Sequence, residues 1–236
     1  MTVANLSRNS EIIQNQNKLI KAKNARSQTS AFFSELRREI ELKPNTNSYE
    51  VSVHQANAQS IGLTEKVLSD TDEFITTEVG FYLCRKYTPT TGANVGITRN
   101  DHILETFANP VFYPSFQQFD SLFQGKLKYA VENQEQISAF PLSLCQKKRV
   151  GKADNINKFH DEFDGEVDGL AELGMNVHTR GKQRTKWTLN FPNVGAATFA
   201  NPNKTIGGVV HSCKVSVVLV LRGVLVSNAA YLHGVK

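Results

Sequence analysis

The side chains best able to move protons near neutral pH are six histidines, His54, His102, His160, His178, His211 and His233. They are scattered, with no His-x-x-x-His pair on a helical stretch, no Gly-x-Ser-x-Gly elbow and no glycine loop shaped for phosphate. A cupin-like site would need a His-x-His pair backed by a carboxylate, and the chain has none. No catalytic, cofactor-binding or metal-binding residue is assigned, and the expectation is that the chain is not an enzyme. The densest carboxylates are Asp161, Asp164, Glu166 and Asp168. They supply hard oxygen ligands of the kind calcium takes, but not at EF-hand spacing. A solvated acidic turn is expected, neutralised by Lys147, Lys148, Arg149 and Lys152 before it and by Arg180, Lys182, Arg184 and Lys186 after it, with an ion as the alternative.

Cys84, Cys145 and Cys213 are odd in number, far apart and set in apolar strand-like runs, which reads as buried free thiols. A fourth kind of chemistry is electrostatic. Residues 1–30 carry Arg8, Lys18, Lys21, Lys23 and Arg26 against the single acid Glu11. These cations are the candidate membrane- or genome-facing residues, able to neutralise lipid headgroups or phosphates. Aromatic residues are absent from this stretch, so base stacking is not expected and any nucleic-acid contact would be nonspecific.

Ile12, Ile13, Leu19 and Ile20 repeat at a spacing of seven, giving a narrow apolar stripe that suits a helix lying against a partner. A second helix is expected from Ser30, as N-cap, to Pro44, with Phe32, Phe33, Leu36 and Ile40 on one face. Residues 1–43 are thus read as a basic, helical arm.

From Tyr49 to Cys145 the pattern changes to strands and turns. The clearest run is Ser69 to Tyr87. Ile75, Thr77, Val79, Phe81 and Leu83 fall on one face and Thr76, Glu78, Tyr82 and Lys86 on the other, with Gly80 permitting a bulge. Glu78 is expected to pair with Lys126 or Lys128. Further strands are expected at 49–54, 61–68, 103–107 and 126–132, and through Phe140, Leu142 and Leu144. After the charged block come a Trp187–Phe191 strand, a long loop from Asn193 to Gly208, and the longest strand, Lys214 to Val226. That last run is apolar on both faces, so it should be central. Weaker strands fall near Val177 and Val209.

The chain has 236 residues, is 40% hydrophobic and 21% charged, and carries a net charge of +5, which allows one large β domain or two small ones. A moderately basic balance suits an anionic partner without naming one. The N-terminus has no apolar core for a signal peptide, and the longest apolar run, Val215 to Val226, is too short for a bilayer span and contains Arg222.

Three segments, DEFITTEVGFYL, ETFANPVFYP and LFQGKLKYAVENQEQISAFPLSL, stand in that order between Ser69 and Cys145. Together this third of the chain resembles the major capsid proteins of small, membrane-containing icosahedral phages, of the flavobacterial single-stranded DNA phage type. The resemblance implies two upright antiparallel β-sandwiches, a minimal double jelly roll, with an N-terminal arm on the inner side of the shell. It also implies homotrimers tiling a capsid, other capsid components such as a penton protein as partners, and location in the virion after synthesis in a host cytoplasm. The corresponding division is a helical arm at 1–43, a first sandwich at 44–154 and a smaller second one at 155–236. Because the last part is short for a full sandwich, one eight-stranded jelly roll is the alternative fold. A lectin-like or receptor-binding module using Phe112, Tyr113 and Trp187 is the alternative function, and a jelly-roll enzyme comes third.

Overall fold

The computed structural model describes residues 3–23, 29–54, 67–91, 99–108, 116–146, 169–192, 200–206 and 208–232. In chain order the elements are helix α1 (Val3–Ala22), strands β1 (Ser30–Glu41), β2 (Ser48–Val51), β3 (Glu73–Pro89) and β4 (Arg99–Glu105), and the short helix α2 (Phe116–Ser121). Then come β5 (Lys126–Val131), β6 (Gln134–Pro141), β7 (Leu170–Arg180), β8 (Thr185–Asn190), β9 (Ala200–Ile206) and β10 (Val209–Ser227). The chain is therefore mainly β, with an N-terminal helix and two antiparallel sheets.

The larger sheet runs β1-β10-β3-β4. β7 takes the part of β3 that β4 does not reach, and β9 the part of β10 that β1 does not reach. The smaller sheet runs β2-β8-β5-β6. Each sheet interleaves strands from both sides of the expected boundary at 154/155: β10 lies between β1 and β3, and β8 between β2 and β5. One apolar cluster joins the two sheets, through Phe81, Leu83, Val217 and Leu219 of the larger and Leu127, Tyr129, Trp187 and Leu189 of the smaller. The boundary therefore does not separate two sheet systems. Of the strands after 155, β7, β8 and β10 find partners in strands before 145, and β9 pairs with β10.

β3 and β10 sit at the centre, as the doubly apolar run of β10 suggests; β3, whose alternation predicts a half-buried strand, is buried on both faces. Register corrects the expected faces of β3. Gly223 stands opposite Thr76 and Arg222 opposite Glu78, so Thr77 is an extra residue, a bulge three positions before the glycine where one was expected. Past a bulge the alternation changes sides. Phe74, Val79, Phe81 and Leu83 join the core shared by the sheets, while Ile75 joins Val224 and Val226 in a second cluster on the other face. The Thr77 hydroxyl is held there, 3.0 Å from Asn9 Oδ1 and 3.3 Å from the Arg222 carbonyl.

The second expected helix is also corrected. Residues 30–41 form β1, paired with β10 from Ser30↔Ser227 to Glu41↔Ser216. Read with period two, Leu36 and Ile40 face the shared core, and Glu35, Glu39 and Glu41 face the other way. There Glu39 meets Lys86 at 2.6 Å, Glu41 meets Lys214 at 3.5 Å and Glu35 meets Arg222 at 4.0 Å. A helix would have kept Phe32, Phe33, Leu36 and Ile40 together but forfeited this ladder and its cross-strand charges, so tertiary pairing overrides local propensity.

Other expectations hold with shifted ends. The β5–β6 connection is a two-residue turn, Glu132–Asn133, with φ of 48° and 68°, the left-handed pair that a tight hairpin needs. Leu142–Cys145 is a 3-10 turn rather than strand, and part of the expected long loop is β9. Most of the 61–68 strand lies outside the described residues; Leu68 makes a parallel bridge to His54.

At Gly223 the central pair leaves no room for a side chain. A Cβ there would stand 1.9 Å from the Ile75 carbonyl oxygen, a backbone atom that cannot move aside. Gly223→Ala is expected to cost about 3 kcal/mol, as an overpacked core position does. Urea unfolding should show a lower midpoint at unchanged slope.

Candidate functional site

α1 places the candidate cations. Its apolar stripe docks on the chain's own larger sheet: Ile12 is buried with Ile75, Val224, Val226, Ala229 and Leu232, and Ile13 and Ile20 pack at the margin. Of the stripe that suggested an external partner, Ile12, Ile13 and Ile20 are thus packed within the chain and Leu19 is left exposed. Asn9, also buried, accepts the bond from Thr77 and so keys the helix to the bulge.

The four candidate cations among the described residues do not converge. Arg8 donates from Nε and Nη2 to Asn176 Oδ1 at 3.2 and 2.8 Å, which ties α1 to β7. Lys23 donates to the Leu232 carbonyl. Lys18 and Lys21 are exposed, and Leu19 beside them is 49% exposed. Arg26 lies outside the described residues, as do the acidic residues 161–168 and the basic residues before them.

The titratable side chains inside the described body are engaged in local structure. Arg85, 2% exposed, holds Glu105 with two bonds of 2.8 and 3.0 Å and donates to the Tyr87 hydroxyl at 2.9 Å. The paired forks satisfy a buried charge that would otherwise be costly. Glu73 meets His178 Nδ1 at 2.7 Å and Arg180 at 3.7 Å. Glu78 stands cross-strand from Arg222 on the face turned away from the shared core, whereas Lys128 pairs with Glu135 at 3.7 Å in the other sheet. The expected pairing of Glu78 with Lys126 or Lys128 is therefore replaced, because both lysines belong to β5 of the smaller sheet, which covers the opposite face of β3.

Three histidines have described side chains. His178 is bound to Glu73, His211 Nδ1 donates to the Val209 carbonyl at 2.9 Å, and His54 Nε2 shares a hydrogen bond with Thr185 Oγ1. Burial lowers the His54 pKa below its usual 6.5, with the Asp70 charge and a backbone bond from Gly181 pulling the other way. Cys84 and Cys145 are buried free thiols, and burial pushes them up to about 11 and about 12. Neither is a thiolate near neutral pH, so neither is a ready nucleophile. The Cys213 side chain is outside the described set. Trp187 is fully buried against Tyr129, ring centroids 4.4 Å apart, and offers no face to a sugar; Phe112 and Tyr113 lie outside the described residues.

A cleft of about 240 Å³ opens where the turn before β3 meets the β7–β8 connection, lined by Asp70, Asp72, Glu132, Arg180 and Lys182 among others. Sequence reading did not foresee it, since its residues are far apart in the chain. Its parts are structural: Asp72 Oδ1 accepts the Asn228 amide at 2.8 Å, and a Cβ on Gly181 would stand 2.2 Å from the Ser69 carbonyl oxygen. Among the described residues no three His, Cys, Asp or Glu side chains gather as a metal group, and no helix is long and apolar enough to cross a membrane.

Compared with protein-family models, with curated proteins and with solved structures, the chain has no significant match in any of the three.

His54 yields a pH test. The unfolded chain protonates it near 6.5 while the fold holds it neutral to lower pH, so its stabilising contribution is complete above 6.5 and is lost as pH falls. Stability from urea midpoints should decline as pH falls below about 6.5, by at most ~1.4 kcal/mol per unit. His54→Gln should flatten that slope; an unchanged slope would assign it to other groups.

Proposed function

We propose that this chain is a structural coat subunit that self-assembles, through homotrimers, into an icosahedral capsid, with α1 on the inner side toward a membrane or genome. The observation that carries the reading is where the polar chemistry goes. Arg85, Glu105, Glu73, His178, His54 and Asp72 are bound to one another, to a neighbouring hydroxyl or to backbone in ways that brace strands and turns. The body is thus organised as a wall. The resemblance of residues 69–145 to phage major capsid proteins supports the same reading.

Within it, the two sheets form one sandwich, the single-jelly-roll alternative, in preference to two. Support comes from the single apolar cluster they share and from strands of both chain halves alternating in each sheet. On the inner side, Lys18, Lys21 and Leu19 would meet an anionic surface, charge and apolar area together. Location in the virion and contact with a penton-type component follow from the coat role.

Sedimentation and electron microscopy of the purified full chain should find trimers and closed shells. A folded monomer at every accessible concentration would overturn the proposal. Lys18→Glu/Lys21→Glu should weaken binding to anionic vesicles or to single-stranded nucleic acid, more strongly at low salt, with the melting temperature unchanged. Equal binding by both proteins would remove α1 from the inner contact.

A further inference from the structure

Among the described residues, β1 pairs on one side only, with β10, and so forms an edge of the larger sheet. Protein sheets usually blunt such an edge by keeping it short, bulged or inwardly charged, because a long regular one invites pairing with another chain. β1 carries one inward charge, Arg38 on the face of Leu36 and Ile40, but it is twelve residues long, keeps an unbroken register with β10, and presents Phe32 and Phe33 at 45% and 40% exposure. The buried Nε of Arg37 has no hydrogen-bond acceptor, although its Nη2 reaches Glu35 at 3.2 Å.

We infer that β1 is a self-association edge, where a second copy of this chain adds its own β1 antiparallel about a two-fold axis through Leu36. The inference deepens the self-assembly reading and rests on it for the identity of the occupant. What singles out a second copy is the charge order of the strand, Glu35-Leu36-Arg37. With Leu36 opposite Leu36, Glu35 of each copy faces Arg37 of the other, twice by symmetry. The exposed Phe32 then lies opposite Ile40, on the face that carries the shared core. Slipping the register by two residues one way puts Glu35 opposite Glu35, and the other way puts Arg37 opposite Arg37. Odd slips would turn the core face of one copy to the outer face of the other. Of these registers, Leu36 opposite Leu36 is the one that combines opposite charges, apolar contact and matching faces, as an isologous two-fold contact requires.

In that register Ser34 lies opposite Arg38, while Ser34 is about 13 Å from its own symmetry mate, beyond disulfide reach. Full-length S34C/R38C, oxidised under native conditions, should run as a covalent dimer on non-reducing gels, and neither S34C nor R38C alone should. Arg37→Glu should weaken dimerisation at least about tenfold in light scattering while keeping the parent melting temperature. An oligomeric chain that gives no double-cysteine dimer, or crosslinks equally with either single cysteine, would overturn this edge and register while leaving self-assembly standing. A monomeric parent chain would overturn both. Strong hydrogen-exchange protection of both sides of β1 in such a monomer would show that the chain covers its own edge.

Discussion

The rest of the molecule hangs on the long antiparallel pairing of β3 with β10 and on its one irregularity. Sixteen register partners join the strands, and the extra residue Thr77 sits opposite the Arg222–Gly223 step. Because both strands are buried on both faces, the sheet needs cover on two sides. The smaller sheet supplies it on one side and α1 on part of the other. The bulge sets what each cover meets. It turns Ile75 out toward Ile12 of α1, turns Val79, Phe81 and Leu83 in toward the shared core, and offers the Thr77 hydroxyl to Asn9. Close approach at Gly223 makes that geometry possible, since the Ile75 carbonyl occupies the space of a side chain.

The charged residues extend this arrangement. On the face away from the core, Glu35, Glu39 and Glu41 of β1 lie along Arg222, Lys86 and Lys214 of the central strands, and Arg222 also sits 5.8 Å from the Phe33 ring centroid. The more exposed of these pairs are individually worth little, but together they complement only an extended β1 in this register. Arg85 and Glu105 perform the corresponding task at one end of the interior, where a bidentate pair closes the joint between β3 and β4. Charge in this protein mainly selects strand register and face. That use suits the structural role proposed for the chain.

Much of the fold was legible in the chain. Alternation at 73–87, the doubly apolar run at 214–226 and the Leu127–Tyr129 pattern identified β3, β10 and β5, because side-chain period is a local property of a strand. The N-terminal helix was legible from its seven-residue repeat, and Cys84 and Cys145 were recognisable as buried thiols from their apolar neighbours. The candidate cations were legible only as charge. Arg8 and Lys23 proved to be tied to Asn176 and Leu232, residues more than a hundred and fifty positions away, a separation that spacing does not encode.

What the amino-acid sequence determined by itself was the strand-rich class, the central place of β10 and the amphipathic character of the first helix, all carried by residue spacing over about a dozen positions. Only the tertiary structure decided that residues 30–41 are a strand, since their apolar residues fit both periods and the choice rests on a ladder to β10. It alone moved the bulge to Thr77, because a bulge is a relation between two strands. It alone joined the two halves of the chain into interleaved sheets and laid α1 on its own sheet, because strand partners and buried faces are chosen by long-range packing.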